Sequence, residues 1–302
     1  MEVSFSEVDL QERCLDERAI SQAVHAICKK VLGLILTDPK IYLELGEKFE
    51  PALSDLIGVE IGPLDIAQGS FRVVDGTLTL NEPDIARLMS YVIDDMKRQV
   101  TMGRPGLEPG ELREILVATT SLFALHELRH RTQGVEKFST VQLLKKIDGR
   151  EQIAKFDIQA DRDAAVALAA AHAGEIGTKD FLAHYQRALF YSVEYFFKIY
   201  PANVDRPDKI CRVAAMLFML ARLEIYRTIG TLSLGSPMTA ISVSIAPDHR
   251  SIAIFENEPR NKLITASNDV VGLPQFISDI ETGRLEEALG SAFAIAISIG
   301  LG

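Results

Sequence analysis

The residues with the clearest chemistry are Leu125-His126-Glu127-Leu128-Arg129-His130. Side chains four apart on a helix differ by about 40° in azimuth and about 6 Å in rise, so the imidazoles of His126 and His130 can converge on one ion. Glu127 lies about 100° around from His126, which sets its carboxylate beside such an ion, where it can take a proton from an activated water. This is the HExxH pattern. It falls at the end of an apolar stretch, where a histidine pair without partners would be costly to bury. The competing reading is a solvated last helical turn with Glu127 paired to Arg131.

A catalytic zinc normally takes three protein ligands and leaves a fourth position open. In Phe156-Asp157-Ile158-Gln159-Ala160-Asp161 two aspartates are again four apart, on one face of the next long helical stretch. Asp157 can complete the ligand set, and Asp161, one turn on, can accept the free N–H of a ligand histidine and fix its orientation. Taken alone, the pair reads equally as an exposed acidic stripe or an Asp161–Arg162 surface cluster. Glu194 and Glu224, inside apolar helical stretches, are alternative carboxylate donors. His172 lies too far along the helix of Asp161 to share its ligand shell. His184, Tyr185, Tyr191 and Tyr195 could furnish a donor to a developing oxyanion, or simply pack in an aromatic core. His25 reads as a partly buried core histidine.

HELRH followed by an acidic residue, two others, Ala and Asp resembles the gluzincin group of zinc metallopeptidases, in which HExxH on one helix is followed by Glu-x-x-x-Asp on the next. The resemblance covers roughly residues 58 to 175. It implies His126, His130 and Asp157 as zinc ligands, Glu127 as catalytic base and Asp161 as support for a ligand. It also implies a small sheet beside the cleft that holds peptide as an added strand, near Phe71 or Leu78. The chain departs from the group in carrying Asp157 where glutamate is usual. Aspartate is shorter by a methylene, so the helices must approach more closely. A two-histidine, one-carboxylate set also admits Fe²⁺, although Zn²⁺ is the first expectation.

Positioning these residues requires long helices. From Asp16 to Phe49 apolar residues recur at helical spacing, and Thr37-Asp38-Pro39 divides the stretch in two. Phe71, Val73 and Val74 before Asp75-Gly76, with Leu78 and Leu80 after it, predict a tight hairpin. Helices are expected over Glu82 to Met102, from Pro109 to a stop at Gly134, over Ile153 to Ala173, from Thr178 to Pro201, and over Pro207 to Ile229. Beyond Gly230, two strands around Pro247-Asp248-His249 and a helix from Gly283 to Ala294 are expected. The predicted class is α+β: a predominantly helical, zincin-like core with a small sheet before the HExxH helix and a β/α segment at the end. A division into residues 1–57, 58–235 and 236–302 is expected, with a single domain as the alternative.

The 302 residues are 47% hydrophobic and 25% charged, the balance of a globular chain. Thirty-two basic against 42 acidic residues give a net charge of −10, which disfavours a nucleic-acid partner. Cys14, Cys28 and Cys211 lack CxxC spacing, so neither a disulfide framework nor a zinc knuckle is expected. The N-terminus lacks the basic flank of an export signal, and the apolar run from Ala292 to Leu301 is too short to span a bilayer. A cytoplasmic zinc hydrolase with a peptide or protein substrate is the leading expectation. A non-catalytic zincin-like interaction or sensor module is the alternative.

Overall fold

The computed structural model describes residues 17–40, 42–64, 71–103, 109–134, 150–171, 188, 206–229, 241–256, 262–282 and 284–301. The expected helix between Thr178 and Pro201 lies outside them, apart from Ala188. The class is α+β, with long helices and two three-stranded sheets.

Helix α1 (Glu17–Thr37) presents Ile20, Val24, Cys28, Val31 and Ile35 at spacings of three and four, and this stripe is buried. By length and composition α1 is also the one helix among the described residues that could cross a membrane. In the fold its stripe packs against neighbouring elements. The Asp38-Pro39 break then reverses the chain into α2 (Leu43–Ser54), which continues through Pro51 and ends later than the sequence suggests. Strand β1 (Gly58–Gly62) follows, then β2 (Phe71–Val74) and β3 (Thr77–Asn81).

Asp75 and Gly76 both have positive φ, 48° and 76°, as a two-residue type I′ turn demands. A side chain at Gly76 would collide with the carbonyl oxygen of Asp55. The sheet order is β1-β3-β2, parallel on one side of β3 and antiparallel on the other. Leu78, Thr79 and Leu80 of this middle strand are all buried, so both of its faces are covered there and the usual alternation disappears.

Helix α3 (Glu82–Thr101) buries Ile85, Met89, Val92 and Met96, again one face. Helix α4 (Pro109–Gln133) crosses the core: from Leu122 to Leu128 every side chain is buried. It stops at Gly134, whose φ of 71° suits the residue after a helix end. Helix α5 (Arg150–Ala171) packs along α4, and its alanines 160, 164, 165, 167 and 171 are all buried there or against other helices. Small side chains allow the close approach that a short third carboxylate would need.

Helix α6 (Arg206–Ile229) leads to the second sheet, β4 (Ile241–Ile245), β5 (Ile252–Glu256) and β6 (Lys262–Ser267), antiparallel in that order. Strands β4 and β5 flank the predicted turn, where His249 has a φ of 57°. Strand β6 and helix α7 (Leu273–Glu281) were not foreseen from the sequence. Helix α8 (Leu285–Ser298) closes the chain and resolves the apolar terminal run as helix, with Ala292, Ile295 and Ala296 buried. Phe218 of α6 and Phe276 of α7 stack with centroids 5.4 Å apart, and buried residues from Ile20 to Leu301 form one continuous core.

Candidate metal centre

The last two turns of α4 carry the pattern that stood out in the sequence. His126, Glu127 and His130 are buried, at 4%, 5% and 7% exposure, and their potential ligand atoms all lie within 4.8 Å of one another. Nε2 of His126 and Nε2 of His130 are 2.9 Å apart, with the rings nearly perpendicular at 89°. One ion can reach two nitrogens when their separation is below about 4.1 Å, twice a Zn–N distance. At 2.9 Å the pair lies within that limit and would spread slightly, towards about 3.3 Å, to suit a tetrahedral ion.

The outer nitrogens explain why the inner ones face each other. Nδ1 of His126 is 2.7 Å from Oδ1 of Asp161, a residue with 2% exposure. The contact is oblique for a straight hydrogen bond, yet a carboxylate at that distance favours a proton on Nδ1. Nδ1 of His130 is 2.8 Å from Oε1 of Gln133. The Gln133 amide is oriented in turn, because its Nε2 donates to the Phe156 carbonyl at 3.2 Å and lies 3.4 Å from Oε1 of Gln159. Reversing the amide would set two acceptors against each other, so Oε1 faces His130 and accepts from it. The neighbours of both rings are acceptors at Nδ1, and the two Nε2 atoms face the same point. The 2.9 Å separation is a hydrogen-bond distance, satisfied by one proton between the two nitrogens, and the same two atoms can hold a metal ion in that proton's place.

Helix α5 supplies more than Asp161. The residues Asp161-Arg162-Asp163 are buried at 2%, 5% and 3% exposure, not spread on a surface. Arg162 donates to the Ile241 carbonyl at the start of β4, 3.1 Å away. Asp163 accepts from Nε of Arg129 at 2.8 Å and from Nζ of Lys48 at 2.9 Å, which joins α4, α5 and α2 behind the histidines. Arg129 also donates to the Thr132 hydroxyl. Arg131, at the far side of α4, pairs with Asp55 at 3.6 Å, beside the hairpin turn.

Asp157 lies on α5 immediately after Phe156, one turn before Asp161; its side chain is outside the described residues, as is that of Glu224 on α6. His172, His184, Tyr185, Tyr191, Glu194 and Tyr195 also lie outside them. His25, on α1, is half-buried, and its Nε2 has no hydrogen-bond partner among the described residues. The sequence reading passed over Gln133, Arg129, Asp163 and Lys48. Gln133 was discoverable as a side chain three residues after His130 on the same helix. The contact of Lys48 with Asp163, 115 residues apart, leaves no local signal.

No protein-family model, no curated protein and no solved structure matches the chain. What the described residues carry is a possible metal-binding group of the HExxH type.

Proposed function

We propose that the chain is a zinc-dependent hydrolase, a metallopeptidase in which Glu127 is the general base. The observation that carries the reading is the convergence of two Nε2 atoms, 2.9 Å apart, beside a buried glutamate.

His126 and His130 would hold the ion, with Asp157 as third ligand, while Asp161 keeps His126 in the Nδ1–H form. Zinc, when bound, supplies Lewis acidity for the scissile carbonyl and for water. Glu127 takes a proton from the attacking water and returns it to the leaving amine. The resemblance to gluzincins belongs to this proposal, and so does a peptide held as an added strand. Leu78 cannot lie on the accepting edge, since β3 is paired on both sides. Strand β2, paired on one side among the described residues, is the edge assigned to peptide.

The test is hydrolysis of a mixed fluorogenic peptide library by zinc-loaded wild type and Glu127→Gln. The variant should lose roughly 10²- to 10⁴-fold in turnover while binding the metal equally well. Retention of wild-type hydrolysis would remove Glu127 from the reaction.

A further inference from the structure

Gln133 is the last residue of α4, half-buried, and faces two helices at once. Its carbonyl accepts from Nδ1 of His130 at 2.8 Å, and its amide donates across to the backbone carbonyl of Phe156 on α5 at 3.2 Å. Phe156 is the chain neighbour of Asp157. We propose that Gln133 is a positioning residue for the metal centre: it fixes the tautomer of His130 and ties that ring to the segment of α5 that carries Asp157. The proposal rests on the metal-site reading above for its purpose and on the hydrogen bonds alone for its geometry.

The physical need is specific. Free imidazole divides its proton between its two nitrogens, and the form with hydrogen on Nε2 has no lone pair where an ion must bind. His126 is held in the useful form by a carboxylate, Asp161. A second carboxylate at His130 would add another buried charge next to Glu127 and Asp161, both already buried. A neutral amide gives the same acceptor without that charge, provided something stops the amide from turning over. The Phe156 carbonyl does so, because only the amide nitrogen can face it. The relay also sets how far α5 stands from His130. A shift of the Phe156–Asp157 segment would thus be felt at the second histidine, in contrast to a glutamine that merely satisfied the end of a helix.

Two readouts separate this role from packing. The first is the His130 tautomer in metal-free, ¹⁵N-labelled full-length protein, read from long-range ¹H–¹⁵N correlations. The second is zinc affinity by competition with a chromophoric chelator. Wild type should show His130 protonated on Nδ1. Gln133→Leu, which keeps the volume and removes the acceptor, should lose that tautomer and weaken zinc by roughly 10- to 100-fold. Gln133→Glu restores the acceptor to His130 but not the donor to Phe156, so it should recover the tautomer while its zinc affinity falls between those of Gln133→Leu and wild type. Unchanged tautomer and affinity in Gln133→Leu would overturn the proposal, as would a Gln133→Glu protein indistinguishable from Gln133→Leu. Should wild type bind no zinc while the tautomer still follows Gln133, the metal reading falls and the positioning of His130 stands.

Discussion

Asp163 of α5 receives Nε of Arg129 at 2.8 Å on one carboxylate oxygen and Nζ of Lys48 at 2.9 Å on the other. A buried lysine and a part-buried arginine thus share one buried anion, two residues along the helix from the carboxylate that meets His126. Removing the anion would take from a buried lysine and a part-buried arginine the carboxylate that both contact. Asp163→Ala should lower stability by about 3–5 kcal/mol, measured by urea unfolding. Lys48→Met in that background should recover part of the loss, since it removes one of the stranded charges. A destabilisation below about 1 kcal/mol would mean that the triad is hydrated and contributes little.

Asp161 acts through His126 and has a different signature. Asp161→Ala should reduce zinc affinity by roughly 10- to 100-fold, since the His126 ring loses the carboxylate that orients it. Chelator competition on the folded variant measures the effect directly. Affinity equal to wild type would show that the 2.7 Å contact has no part in metal binding.

The hairpin turn makes a prediction about backbone geometry. Gly76 has a φ of 76°, and a Cβ there would meet the Asp55 carbonyl oxygen. The same glycine accepts, through its own carbonyl, the N–H of Ile57 at 2.8 Å, so the turn cannot swing away without breaking that bond. Gly76→Ala should cost at least about 1–2 kcal/mol. Thermal unfolding of the variant checks it, and an unchanged midpoint would show that the turn relaxes freely.

The long elements were legible in the sequence because each has a strong local cause. The stripe of α1, the Asp-Gly turn and the Gly134 stop act within a few residues, and the observed ends of α4 and α5 fall close to those expected. The HExxH spacing likewise brings its own three side chains together on one helix. Contacts between helices were less visible. Asp161-Arg162-Asp163 looks like a solvated cluster until α4, α2 and β4 each supply a partner to one of its members. The central position of β3, which takes Leu78 out of reach of a peptide, depends on the parallel pairing with β1, which no turn specifies. Helix α7 follows a turn made by Asp269 and Gly272, both with positive φ, which was not read, in contrast to the turn at His249 between β4 and β5.

Cys28 gives a pH dependence with a definite sign. Complete burial on the stripe of α1 pushes its thiol up to about 12. The unfolded chain releases this proton near pH 8.5, whereas the folded chain keeps it. The group's contribution is therefore whole below about pH 8.5 and declines as pH rises towards 12, with a limiting slope of about 1.4 kcal/mol per pH unit. Unfolding free energies at pH 8, 9 and 10 should fall more steeply for wild type than for Cys28→Ala. Parallel curves would contradict the buried thiol.

Metal content is the most direct test of the central claim. Wild-type chain and the His126→Ala, His130→Ala double variant, purified without chelator and equilibrated with zinc, are compared by elemental analysis after gel filtration. The account predicts one tightly held zinc per wild-type chain and none in the folded variant. A wild-type protein that emerges metal-free, or a variant that retains as much zinc, would contradict it.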